Sequence, residues 1–191
     1  MSHPHGFPNP SLPSRAAGLA AVALALLLGC GGSRGAGTSG LAYTDPTASG
    51  FRLVRNTALS TPAHLVLDLM GPTDGLARGV AFTLDAGSAP VAWAPVQPDD
   101  GRYAQNAAFD LGADPQIFVT QVQGSQLSVI LYEKRPGNAK PLGGSLCRVA
   151  LDAQAPALSA APLAVTQFRV LPETGADLVA APCAAGTVTS N

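Results

Sequence analysis

The chain has 191 residues, 47% hydrophobic and only 12% charged, with a formal net charge of −1. Disorder is excluded, because it needs low hydrophobicity and high net charge, and the near-neutral balance lacks the basic footprint of a nucleic-acid binder. The nine arginines are scattered singly, so there is no polybasic patch for an anionic membrane surface either.

The first fourteen residues, "MSHPHGFPNPSLPS", carry four prolines and no helical period. Arg15 then stands before "AAGLAAVALALLL", thirteen uncharged residues from Ala16 to Leu28. A membrane-spanning helix needs about 20 apolar residues. The run is too short for that and fits the hydrophobic region of a secretory signal. It has no polar face, which a surface helix packed on a core would show.

The run closes on Leu27-Leu28-Gly29-Cys30. This resembles the lipobox of bacterial lipoproteins, with leucine three before the cysteine and a small residue just before it. Leu28 departs mildly from the small residue usual two before the cysteine. The resemblance implies a signal peptide over 1–29, cleavage before Cys30, and lipidation of the Cys30 thiol. The membrane then becomes a partner through the lipid, since two or three acyl chains give a stable anchor where one does not. Gly31, in place of an aspartate, favours the outer membrane if the envelope is Gram-negative. Residues 30–47 read as a tether; its first part, "GGSRGAGTSG" (31–40), is Gly/Ser-rich coil with a reach of roughly 17 Å.

Residues 48–191 are expected to form one β-domain. "HLVLDLM" places Leu65, Leu67 and Leu69 on one face, and "GPTDG" (71–75) is turn chemistry. "VAFTLD" places Val80, Phe82 and Leu84 together, and "PVAWAPV" is a proline-bounded strand pairing Val91 with Trp93. In "QIFVTQVQGSQLSVILY" two strands meet at Gly124-Ser125, where glycine supplies the positive φ of a type II′ hairpin turn. "SLCRVAL" (145–151) and "VTQFRVL" (165–171) add two more. About eight or nine short strands without a helix predict an all-β, antiparallel β-sandwich.

"RGVAFTLDAGSAPVAW" (78–93), followed by a late "GSLCRVAL" (144–151), resembles the strand order of cohesin-like domains. The resemblance spans roughly residues 48 to 190 and implies a nine-stranded, jelly-roll-type sandwich used for binding. It does not extend to dockerin recognition, because no surface motif for that partner can be matched.

Catalytic chemistry finds little support. Cleavage before Cys30 would leave His64 as the one histidine, and Asp68 on its strand face lies roughly 13 Å away. No Gly-x-Ser-x-Gly elbow offers a nucleophile, and no zinc-ligand spacing occurs. Asp99-Asp100-Gly101 and Asp74-Gly75 read as turns rather than calcium loops. Trp93 is a candidate for stacking on a ligand, with core packing the plainer role; Tyr103 and Tyr132 could extend an aromatic surface. "LPETG" (171–175) matches a sortase signal but lacks the apolar span and basic tail behind it. Cys147 and Cys183 form an even pair in an exported domain and are expected to make a disulfide.

These readings converge on a non-enzymatic envelope lipoprotein that acts as a binding or assembly module. Its partner would be a protein or polysaccharide of the envelope, with no cofactor or metal implied. An envelope hydrolase with an unrecognised site, or an accessory subunit of a secretion or surface-fibre machine, are the alternatives.

Overall fold

The computed structural model describes residues 40–107, 109, 111, 116–135, 139–155, 159–174 and 177–190. The signal segment, Cys30 and the tether up to residue 39 lie outside the described residues.

The strands in chain order are β1 (Leu41–Thr44), β2 (Phe51–Arg55), β3 (His64–Gly71), β4 (Leu76–Asp85) and β5 (Val91–Ala94). They continue with β6 (Ala104–Asn106), β7 (Gln116–Gln123), β8 (Gln126–Glu133), β9 (Lys140–Pro141) and β10 (Gly144–Ala153). The last are β11 (Ala161–Pro162), β12 (Ala164–Pro172), β13 (Val179–Ala180), β14 (Cys183–Ala184) and β15 (Thr187–Ser190). The domain is an all-β sandwich. One sheet runs β14-β2-β3-β10-β5, with β6 continuing the line of β5 along β10. The facing sheet runs β13-β12-β4-β8-β7, with β9 continuing the line of β8 along β4. A small sheet, β1-β15-β11, accompanies them. Every pairing between named strands is antiparallel except β14 on β2.

Period-two alternation builds the interior. From the β3 sheet come Leu65, Leu67 and Leu69 with Val149 and Leu151; from the β4 sheet come Val80, Phe82 and Leu84 with Leu127, Val129 and Leu131. Each fully buried leucine contributes about 1.5–3 kcal/mol relative to exposure. Phe51 of β2 meets Phe168 of β12 across the gap, ring centroids 4.7 Å apart and tilted, a favourable aromatic geometry. The β7–β8 hairpin turns at Gly124, whose φ of 59° is the positive value the turn demands.

Two differences from the sequence reading stand out. The folded domain starts before residue 48, because β1 lies inside the stretch read as tether and pairs with β15, burying Leu41 and Tyr43. Two alternating apolar residues behind a glycine-rich run carry too little pattern to mark a strand. The strands number fifteen among the described residues, above the eight or nine expected, and four of them, β9, β11, β13 and β14, are two residues each. Such segments are held by a partner strand rather than by any period of their own.

Candidate functional site

On the outer side of the β3 sheet, His64 does not use Asp68. Its Nδ1 lies 2.6 Å from Asp152 Oδ1 and its Nε2 lies 3.3 Å from the Val96 carbonyl. The β3–β10 register sets His64 directly opposite Asp152, eighty-eight residues away in sequence. With one ring nitrogen on a carboxylate and the other on a backbone carbonyl, the imidazole has no hydroxyl or thiol nucleophile as a ring partner among the described residues. It ties β3, β10 and the segment after β5 together.

Asp68 anchors a second cluster on that side. Its Oδ1 accepts from Ser145 Oγ at 2.9 Å and from Arg148 Nε at 2.9 Å, and its Oδ2 accepts from Asn56 Nδ2 at 2.9 Å. Between the two clusters Val66, Val96 and Ala150 bury one another. The segment between β5 and β6 therefore covers the middle of this outer face.

Trp93 is a core residue, not a stacking platform. Only 6% of it is exposed, and its indole N–H donates to the Ser125 carbonyl at 2.6 Å. Tyr103 packs against the core beside β6, while Tyr132 sits on β8 of the facing sheet, so they form no joint aromatic surface. Asp100 and Gly101 form a turn: Gly101 has φ 63°, and Asp100 Oδ1 accepts the Arg102 N–H at 2.9 Å. That bond, with one from the Gln105 amide, holds the Asp100 carboxyl below its usual range. Gly75, at φ 109°, makes the other turn. Among the described residues no group of three or more His, Cys, Asp or Glu side chains could hold a metal ion. In "LPETG", Leu171 is buried and Pro172 still pairs with Ala77, so the motif begins inside a strand; Gly175 lies outside the described residues.

The expected disulfide is absent: Cys147 and Cys183 are free thiols. The strand order β14-β2-β3-β10 separates them by three strand intervals. At about 4.8 Å each, that puts the two backbones on the order of 14 Å apart, where a disulfide needs Cα atoms within about 7 Å. Burial pushes the Cys183 thiol up to about 12 and raises that of Cys147 further. Burial likewise raises the Tyr43 phenol to about 12, against the opposing effect of a Gly186 N–H donated to its Oη at 2.6 Å.

Three features escaped the sequence reading. Arg78 and Glu133 sit opposite each other on the interior face of β4 and β8, only 4% and 0% exposed. Arg78 Nε donates to the Pro172 carbonyl at 3.1 Å, fastening the end of β12. Their phase with Val80 and Leu131 in the alternation was the available signal. Second, a cleft of about 620 Å³ opens where the edges β6 and β7 face each other, lined by Asp100, Arg102, Gln105, Asn106, Phe118 and Thr120 among others. Third, on the outer face of the β4 sheet, Leu178 and Tyr132 crowd the end that holds Leu171, while the β7–β8 side is left uncovered by the described residues. The central row of that face runs Val119, Ile130, Ala81, Arg169 and Ala180 across five paired strands. Val119 is 52% and Ile130 38% exposed. Next to that row Gly79 leaves space for Tyr132, whose Cβ would lie 2.2 Å from any Cβ placed there.

No protein-family model matches the chain, and no curated protein matches it. Solved structures do. A type II cohesin domain from the cellulosome of Acetivibrio cellulolyticus superposes with a TM-score of 0.53 at 10% identity, covering 75% of this chain and 94% of that one. The chain has a cohesin-like β-sandwich fold. A non-cellulosomal cohesin from the archaeon Archaeoglobus fulgidus gives a TM-score of 0.45 at 11% identity, over 80% of this chain and 91% of its own. A cohesin module from a Clostridium perfringens family 33 glycoside hydrolase gives 0.39 at 11%, over 75% and 97%.

Proposed function

We propose that the chain is an envelope lipoprotein, tethered through a lipidated Cys30, whose sandwich binds a partner protein through the outer face of the β4 sheet. The observation that carries the binding role is the row Val119–Ile130–Ala81–Arg169. Exposed apolar residues grouped on a flat sheet face mark interaction surfaces, and here the other outer face is covered by its own chain. Ala180, paired with Arg169 on β13, carries the row to the far edge. The partner this surface fits presents an apolar patch with an acidic group placed to meet Arg169, whose side is exposed. The cellulosome origin of the similar cohesin domain is in keeping with an assembly role on this fold.

The anchor rests on Leu27-Leu28-Gly29-Cys30, with Gly31 favouring the outer membrane in a Gram-negative envelope. Two experiments test the proposal. Cys30→Ala should abolish palmitate labelling and leave precursor or soluble protein; unchanged labelling removes the anchor. A photo-crosslinking residue installed at Ile130 in the native host should capture a protein that the same residue at Asp152, on the covered face, does not. Equal capture from both positions, or none from Ile130, removes the docking face.

A further inference from the structure

The edges of the two main sheets are not alike. β13 and β14 are two residues long, β6 is three, and β5 is four residues between Pro90 and Pro95. Short, proline-flanked edges are how sheets avoid accepting another strand. β7 is the exception: eight residues, "QIFVTQVQ", with no charge and no proline, at the end of its sheet. Gln123 and Gln126 close the two-residue turn, so they form a hydrogen-bonded pair. Counting back by alternation, Val119 and Gln121 point their N–H and C=O groups at β8. Those of Phe118, Thr120 and Val122 point the other way, where no described residue pairs with them.

The cleft adds a second, independent observation. Phe118 and Thr120, whose backbone groups face outward along the edge, also line the cleft with their side chains. Across it stands Asn106, whose Oδ1 is buried with no hydrogen-bond partner. The cleft is lined chiefly by polar side chains, Asp100, Arg102, Gln105, Asn106 and Thr120, which offer hydrogen-bond partners to a donor-bearing side chain. A strand laid about 4.8 Å beyond β7 would turn every second side chain over this opening.

We propose that the β7 edge and its cleft bind an extended peptide segment of a partner protein by strand addition, with Ser, Thr, Asn or Gln side chains entering the cleft. The backbone of Phe118, Thr120 and Val122 supplies the affinity, and Asn106 with its neighbours selects donor-bearing side chains at alternate positions. The surface is separate from the outer face of the β4 sheet.

The test is selection from a phage-displayed random-peptide library against the full chain in detergent. Enriched peptides should carry Ser, Thr, Asn or Gln at alternate positions. N-methylating the amides in one phase of a synthetic enriched peptide should weaken binding by at least about tenfold, and methylating the other phase should not. Thr120→Pro, which removes an outward-facing N–H that an edge strand can spare, should cause the same loss, while Ile130→Asp leaves peptide affinity unchanged. Failure to enrich any peptide, equal tolerance of methylation in both phases, or wild-type affinity in Thr120→Pro would each overturn the proposal. Loss of peptide binding in Ile130→Asp but not in Thr120→Pro would overturn it too and move the peptide to the sheet face. The methylation series needs no protein variant, so a misfolded Thr120→Pro does not blunt the test.

Discussion

The two outer faces of the sandwich start from similar material and end differently. Each is a pleated surface whose alternate residues turn away from the core, and each carries aliphatic side chains: Val66 and Ala150 on the inner strands β3 and β10 of one, Val119 and Ile130 on β7 and β8 of the other. On the β3 sheet the segment after β5 folds over, so that Val66 is fully buried beneath Val96. Around it, His64 with Asp152 and Asp68 with Ser145, Arg148 and Asn56 consume the polar groups in bonds within the chain. On the β4 sheet no described segment lies over Val119 and Ile130, which are 52% and 38% exposed. One face is closed over by its own chain and the other leaves Val119 and Ile130 exposed, and aliphatic content alone does not separate them.

The sharpest way to break this comparison is to place the same charge on both faces. Val66→Asp buries a carboxylate with nothing to pair it and should lower unfolding free energy by about 3–5 kcal/mol, or abolish folding. Ile130→Asp sits at a solvent-facing position and should stay within about 1 kcal/mol of the parent. Urea unfolding of both variants reads the difference. Comparable losses would mean that the β4 face is covered after all.

The polar cluster on the covered face gives the next effect. Asp68→Ala removes the acceptor for three side chains and strands Ser145, Arg148 and Asn56 around an empty position. Arg148 keeps partial access to water, its side chain 31% exposed, which limits the penalty to about 2 kcal/mol. A shift in urea midpoint below a quarter of that size would show that these bonds add little to what Val66 and Val96 already hold.

The sequence made the inner faces legible and left the outer ones obscure. Leu65, Leu67, Leu69, Val80, Phe82 and Leu84 are inside because alternation is a local property, readable within one strand. Which outer face is covered depends on where the segment carrying Val96 lies, and nothing within a strand encodes that. The same limit explains His64. Its nearest acid in sequence, Asp68, shares its strand but not its reach, and its true partner, Asp152, is set by the register of β10 against β3. Asn106 drew no attention for a related reason: it matters only because β6 and β7 come to face each other across the cleft.

Beneath both faces, the buried protonated groups predict a response to alkaline pH rather than to substitution. Folded Cys147, Cys183 and Tyr43 hold their protons above the ordinary values of 9.0 for the thiols and 10.0 for the phenol. The unfolded chain therefore deprotonates first as pH rises. Stability from these groups is complete below pH 9.0 and is lost as pH climbs towards about 12, by up to about 1.4 kcal/mol per pH unit for each group. Tyr43→Phe should flatten the part of this loss that begins at pH 10.0. An alkaline limb identical in that variant would assign the loss elsewhere.

The smallest expected effect is none, and it bears on how the covered sheet holds the C-terminal segment. A Cys147–Cys183 disulfide would close a loop of about 37 residues and contribute roughly 4 kcal/mol by chain entropy. The structure holds that segment by other means. Cys183 and Ala184 pair in parallel with Phe51 and Arg52, Gly186 donates to the Tyr43 hydroxyl, and β15 joins β1. With the thiols three strand intervals apart, oxidation has no native geometry in which to act. Reductant should therefore leave the urea midpoint of the oxidatively purified protein unchanged, and both thiols should alkylate once the protein is unfolded without reductant. A loss of several kcal/mol on reduction would require β14 to leave β2 and approach β10, and the order of the covered sheet would then be different from the one described.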